Sequence, residues 1–249
     1  MKKAVVLGVS IAAGIILIAL AVWFTIPRAV FYNSVKGMTE GCSIATYCEK
    51  YDVRFDSAVR ADLITYTAEF PDSYVREEIK TGDIQCVSYT EGDSKVLIIP
   101  NDEPIDGNLL DPDLYNDDDL LGGKSEKAVE RIFGSLGYGL PDSFYATGKC
   151  TALVNEEDCT YWNMDKTVAY SVLGNLKQVW FPGGADVILY ERDNVRAIIS
   201  LGEDEDTSGV WVANVDVFDT KDLNMPTSIV CRTGDKEFIF KLLNSVEYK

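Results

Sequence analysis

The feature that most constrains this chain lies near its start. From Ala4 to Ile26 the sequence runs for 23 residues without a charge, with Ser10 and Thr25 as the hydroxyl-bearing side chains. Wound as an α-helix, at roughly 1.5 Å per residue, such a run spans about 34 Å and covers a hydrocarbon core of about 30 Å. Gly8 and Gly14 are acceptable in a membrane helix, Trp23 suits a lipid–water boundary, and Pro27 with Arg28 ends the stretch. The expectation is a cytoplasmic stub and transmembrane helix over residues 1–28 and a connector over 29–41. An acidic extracytoplasmic domain follows over 42–249, with a subdivision near 101–124. Lys2 and Lys3 precede the span, which favours a single pass in the cell membrane with the N-terminus inside. Ala19-Leu20-Ala21 fits a cleavable secretory signal as the competing reading, but the apolar run continues past it through Val22–Ile26.

Charge narrows the partners. All 40 acidic residues, but only 20 of the 23 basic ones, follow residue 28, leaving this part near −20. A surface of that sign repels nucleic acid and anionic lipid. The expected partners are therefore the lipid bilayer through residues 4–26 and another envelope or surface protein, and not nucleic acid.

Histidine is absent from the sequence, which removes His-based triads, Cys–His nucleophiles and histidine zinc sites. Six cysteines, Cys42, Cys48, Cys86, Cys150, Cys159 and Cys231, contain no CxxC pair. In an exported domain an even number is read as a disulfide set, with Cys42–Cys48, Cys150–Cys159 and Cys86–Cys231 as the simplest pairing. Buried free thiols are the alternative.

Hydrophobic alternation marks strands over Ile84–Tyr89 and Lys95–Ile99, and again over Asp186–Glu191 and Val195–Ser200, each pair joined by a polar turn. Val210–Phe218 and Ser228–Arg232 read as further strands. Helices are expected from Ser125 to about Tyr138, over Lys166–Val179 with Val168, Val172, Leu176 and Val179 inward, and after Asp235. The fold class is α+β: a transmembrane helix followed by an antiparallel-sheet domain with two or three packed helices.

Residues 102–119 hold eight carboxylates and no lysine or arginine. Calcium takes six to eight oxygens from loops of this kind, which makes Asp111, Asp113, Asp117 and Asp119 candidate ligands. The spacing is not that of an EF-hand, since Gly122 stands where the closing glutamate belongs. No other cofactor is expected. The runs Glu203–Asp206 and Glu156–Asp158 read as solvated loops. Trp180–Gly184 and Tyr161-Trp162 are aromatic clusters that read as core or turn packing, with an apolar or carbohydrate-stacking surface as the alternative. A hydrolase without histidine needs paired carboxylates or a Ser–Lys pair such as Ser94–Lys95 or Ser125–Lys127. The leading expectation is a non-enzymatic binding or scaffolding protein, and the alternative is a tethered hydrolase using paired carboxylates.

Overall fold

The structure, a computed structural model, describes residues 21–249 apart from 64, 82, 83, 102 and 117. Residues 21–35 are helical (α1). Eleven strands follow: β1 (Ala45–Tyr47), β2 (Ala58–Asp62), β3 (Tyr66–Pro71), β4 (Val75–Thr81), β5 (Ile84–Glu91), β6 (Ser94–Pro100), β7 (Asp186–Arg192), β8 (Val195–Glu203), β9 (Trp211–Asp219), β10 (Asp222–Thr233) and β11 (Glu247–Tyr248). Helices α2 (Glu126–Gly134), α3 (Phe144–Leu153) and α4 (Met164–Trp180) lie between β6 and β7, and α5 (Phe238–Asn244) between β10 and β11.

Eight strands form one sheet in the order β1-β7-β8-β9-β10-β6-β5-β4, and three form a second in the order β11-β3-β2. The expected wholly antiparallel sheet is corrected here. Ala45–Tyr47 pairs parallel with Val187–Leu189, so the large sheet is mixed, and the described residues hold five α-helices rather than two or three. The two expected hairpins are present as β5–β6 and β7–β8, separated in the sheet by β9 and β10. Gly92 (φ 56°) and Asp193 (φ 48°) sit in their tight turns, where a two-residue connection needs left-handed backbone.

The expectation of a transmembrane helix is overturned. No helix among the described residues is long and apolar enough to cross a membrane. The 15 described residues of α1 span only about 22 Å, and Arg28, Asn33 and Ser34 interrupt its apolar surface. Residues 4–20 of the expected span lie outside the described residues. The second half of α1 packs instead on the protein, with Phe31 and Val35 against a cluster that includes Tyr170 and Leu173. Tyr161 donates to the Thr25 carbonyl at 3.3 Å and meets Tyr32 edge-on.

Strand alternation divides the large sheet into two faces. On one, Val87, Tyr89, Val96, Ile98, Ala197, Ile199, Val215, Val217, Ile229 and Cys231 pack against β3 and α5, through Tyr66, Ala68, Phe70, Phe238 and Leu242. On the other, α3 lays Tyr145 and Ala152 over Val187, Leu189, Ile198 and Phe218. Helices α2 and α4 form the next layer, with Val129, Ile132, Phe133, Cys150 and Leu173 between them and α3.

The expected inward face of α4 is met in part: Val168, Val172 and Leu176 are half-buried against the helical cluster, but the most deeply buried face lies beside them. Val179 is exposed, while Thr167, Tyr170, Ser171, Gly174 and Lys177 are buried. Small and polar residues face in because α4 packs closely there, with Met38 and Thr39 against Gly174.

Candidate functional site

On its helical side the large sheet is covered only in part. Register places Asp216 opposite Ile198 on one side and Ser228 on the other, with Asn214 opposite Ser200 and Val230 in the neighbouring row. Over these rows, Phe144 and Gly148 of α3 and Trp180 and Phe181 at the end of α4 roof a cleft of about 380 Å³. Gly148 sets the helix–sheet spacing, since a Cβ there would stand 2.5 Å from Ile198 Cδ1. The Phe144 ring lies 5.8 Å from Trp180 and 6.1 Å from Phe218.

Trp180 and Phe144 also wall a second cleft of about 470 Å³ on their far side, closed by Leu109, Tyr115, Val172 and Leu176. One wall of it is the acidic loop. That loop is pinned to α3 and β10: Thr147 Oγ1 donates to the Gly107 carbonyl, Ile105 N to the Asn224 carbonyl at 2.7 Å, and Phe144 N to Asn224 Oδ1 at 2.8 Å. Gly107 is required by this contact, because a Cβ would come within 2.8 Å of the Phe144 Cα.

Asp216 is the charged group of the first cleft. Ser228 Oγ donates to its Oδ1 at 2.7 Å. Burial pushes the Asp216 carboxyl above its ordinary range, and the Ser228 hydrogen bond only partly opposes this. The lining of the first cleft includes no lysine or arginine, and that of the second offers Asp106 and Asp119, again without a basic side chain.

The calcium candidates are not brought together. Asp111 Oδ1 accepts from Asp113 N at 2.9 Å and Asp119 Oδ2 from Asn116 N at 3.2 Å, so both shape their own turns, and Asp117 lies outside the described residues. No group of three or more His, Cys, Asp or Glu among the described residues is disposed to hold a metal ion.

The expected disulfides are overturned, since all six cysteines are free and four of them are buried. Cys231 faces the same core as Val87, and alternation then turns the neighbouring Cys86 to the opposite side of the sheet. Strand β1 lies between Cys42 and Cys48 and by itself spans about 10 Å, beyond the roughly 7 Å that a disulfide bridges. Cys150 is packed among Val129, Phe133 and Leu173, and its Sγ faces the Gly139 carbonyl at 3.8 Å. Burial pushes the thiol of Cys150 up to about 11 and that of Cys231 to about 12.

The other sequence candidates are dispersed. Ser94 and Lys95 are adjacent on β6 and so point to opposite faces. Ser125 precedes α2 without making a capping hydrogen bond. Tyr161-Trp162 and Trp180 stand at opposite ends of α4, about 25 Å apart for a 17-residue helix. Glu203–Asp206 closes the β8–β9 hairpin, where Arg232 Nε donates to Asp204 Oδ2 at 3.0 Å. Within Glu156–Asp158, Asp158 is buried, contrary to a wholly solvated reading, and accepts from Tyr138 at 2.6 Å and Lys166 at 2.9 Å.

Two polar anchors on the helical side were not foreseen. Lys177 is 1% exposed and donates to the Ala152 carbonyl at 2.7 Å and to that of Val154, tying α4 to the end of α3. Burial lowers its ammonium to about 8. Glu191 Oε1 accepts from Lys149 Nζ at 2.6 Å and from Tyr145 at 2.9 Å, tying α3 to β7. Burial pushes the Glu191 carboxyl up, but the bonds from Lys149 and Tyr145 outweigh it and hold the group below its ordinary value.

Fold and site together define an α+β protein with two adjoining apolar clefts edged by carboxylates. No protein-family model matches the sequence, and no curated protein is similar to it.

Proposed function

We propose that this chain is a non-enzymatic binding protein whose paired clefts receive an amphipathic ligand or an apolar segment of another envelope or surface component. The observation that carries this reading is the shared Phe144–Trp180 wall, with a cleft of about 380 Å³ on one side and about 470 Å³ on the other. Both volumes fall in the range of small-molecule sites, which are mostly apolar with a few oriented polar groups. A lining with carboxylates and no basic side chain suits a neutral or cationic occupant. The hydrolytic alternative requires two carboxylates facing each other across a cleft: Asp216 is the one carboxylate among the described residues that line the first, and Asp106 and Asp119, which line the second, each accept from the backbone of their own turn, at Asn108 N and Asn116 N. An extracytoplasmic location belongs to the same proposal, supported by the secretory-signal pattern of Lys2 and Lys3, the apolar run after them and Ala19-Leu20-Ala21.

The test is titration of residues 21–249 with the uncharged probe N-phenyl-1-naphthylamine, followed by its fluorescence. Saturable enhancement is expected, weakened at least fivefold by Trp180→Ala and abolished by Ser200→Phe, which fills the first cleft, while circular dichroism stays unchanged. Enhancement indifferent to both substitutions, or none in a folded protein, contradicts the reading.

A further inference from the structure

Resting on that binding reading, we infer that the first cleft selects ligands carrying a primary ammonium group on an apolar stem, with the ammonium seated on Asp216, Asn214 and Ser200. Asp216 and Asn214 are two apart on β9, so their side chains share the cleft face, and Ser200 stands directly opposite Asn214 on β8. Ser228 occupies Asp216 Oδ1, while Oδ2 takes part in no hydrogen bond among the described residues. The Asn214 and Ser200 side chains likewise make none there. None of the ion pairs formed among the described residues includes Asp216.

A half-buried carboxylate without a cation beside it is costly, and the half-buried Ser200 and the exposed Asn214 add acceptors at its edge that a donor can use in place of water. A primary ammonium brings one positive charge and three N–H donors, matching one free carboxylate oxygen, one amide oxygen and one hydroxyl. An alkyl or aryl stem then lies against Phe144, Trp180 and Ile198. A quaternary ammonium supplies the charge without the donors, and an alcohol supplies one donor without the charge. An anionic head meets only like charge.

Binding of octylamine, octan-1-ol, octyltrimethylammonium and octanoate, measured by displacement of the naphthylamine probe at pH 7, separates these cases. Wild type is expected to bind octylamine at least tenfold more tightly than octan-1-ol or octyltrimethylammonium, with octanoate weakest. Asp216→Asn is expected to bring octylamine to the level of octan-1-ol, with circular dichroism and a cooperative melt showing that the variant is folded. Asn214→Leu is expected to cost octylamine about threefold. Equal affinity for octylamine and octan-1-ol overturns the ammonium assignment but leaves the binding reading standing. A preference for octylamine that survives Asp216→Asn places the attraction on the acidic surface at large and also overturns it. If no octyl compound displaces the probe, both fall.

Discussion

The two faces of the eight-stranded sheet are closed by different means. On one face the small sheet and α5 complete an apolar seal in which Phe70 stacks on Tyr89 with ring centroids 3.7 Å apart. On the other, the helices are fixed partly by buried polar anchors, Lys177 and the Glu191–Lys149–Tyr145 group, and they stop short of covering β8–β10. The first face therefore carries stability through area removed from water, which involves no titrating group. The second carries charge and open space, which is what a recognition site requires. On the proposed reading, the division separates holding from binding within a single sheet.

Phe70→Ala should produce the largest effect. It is expected to cost about 3–5 kcal/mol in urea denaturation, as truncation of a buried phenylalanine does. Probe affinity of the folded fraction should not change. A variant that lost affinity in proportion to stability would break the division between the faces.

The next effect concerns Lys177. Its folded value near 8 lies below the ordinary 10.5, so the charged form is disfavoured in the native state. Native stability should rise, relative to Lys177→Met, as pH increases through this window, by up to about 3 kcal/mol. Paired melts of the two proteins at pH 7.5 and 10 read the difference. A constant gap would show that the ammonium is not desolvated.

Glu191→Gln should cost about 1–2 kcal/mol at pH 7, because it removes charge from the bonds to Lys149 and Tyr145. Since the folded carboxyl is held below its ordinary value, the gap to wild type should close on acidification, as pH falls through that depressed value. Asp216→Asn should have the smallest effect on folding, and in the opposite direction. A carboxyl raised by burial costs stability once it ionises, so the variant should melt a few degrees higher at neutral pH. Its advantage should vanish under acid conditions that protonate the wild-type group. A gain in stability with a loss of octylamine binding is the expected signature of a binding residue.

The central strands of the large sheet and one helix of the opposite layer were legible in the sequence, whereas the short strands β2, β3 and β11 that seal the first face were not. The β5–β6 and β7–β8 hairpins follow from strict alternation around short polar turns, and α2 from its apolar stripe Val129, Ile132 and Phe133. The cleft on the helical side was not legible, and α3 is the reason. Its sequence, Phe-Tyr-Ala-Thr-Gly-Lys-Cys-Thr-Ala-Leu, shows no amphipathic stripe because it is buried between the sheet and α4. Without α3, Asn214 and Asp216 read as the solvent side of an alternating strand, and nothing indicates that a roof stands above them. The short parallel strand β1 escaped for a related reason: three residues carry no period. The Cys86–Cys231 pairing failed because it depended on which face each strand residue occupies, and register is fixed only by the assembled sheet.

The most direct test of the division is to follow backbone amide shifts of residues 21–249 during addition of octylamine. Perturbations are predicted to concentrate on Phe144, Gly148, Trp180 and the Ser200, Asn214, Asp216 and Ser228 amides, leaving β3 and α5 unmoved. Shifts centred on β3 and α5, or none while the probe is displaced, would contradict the account.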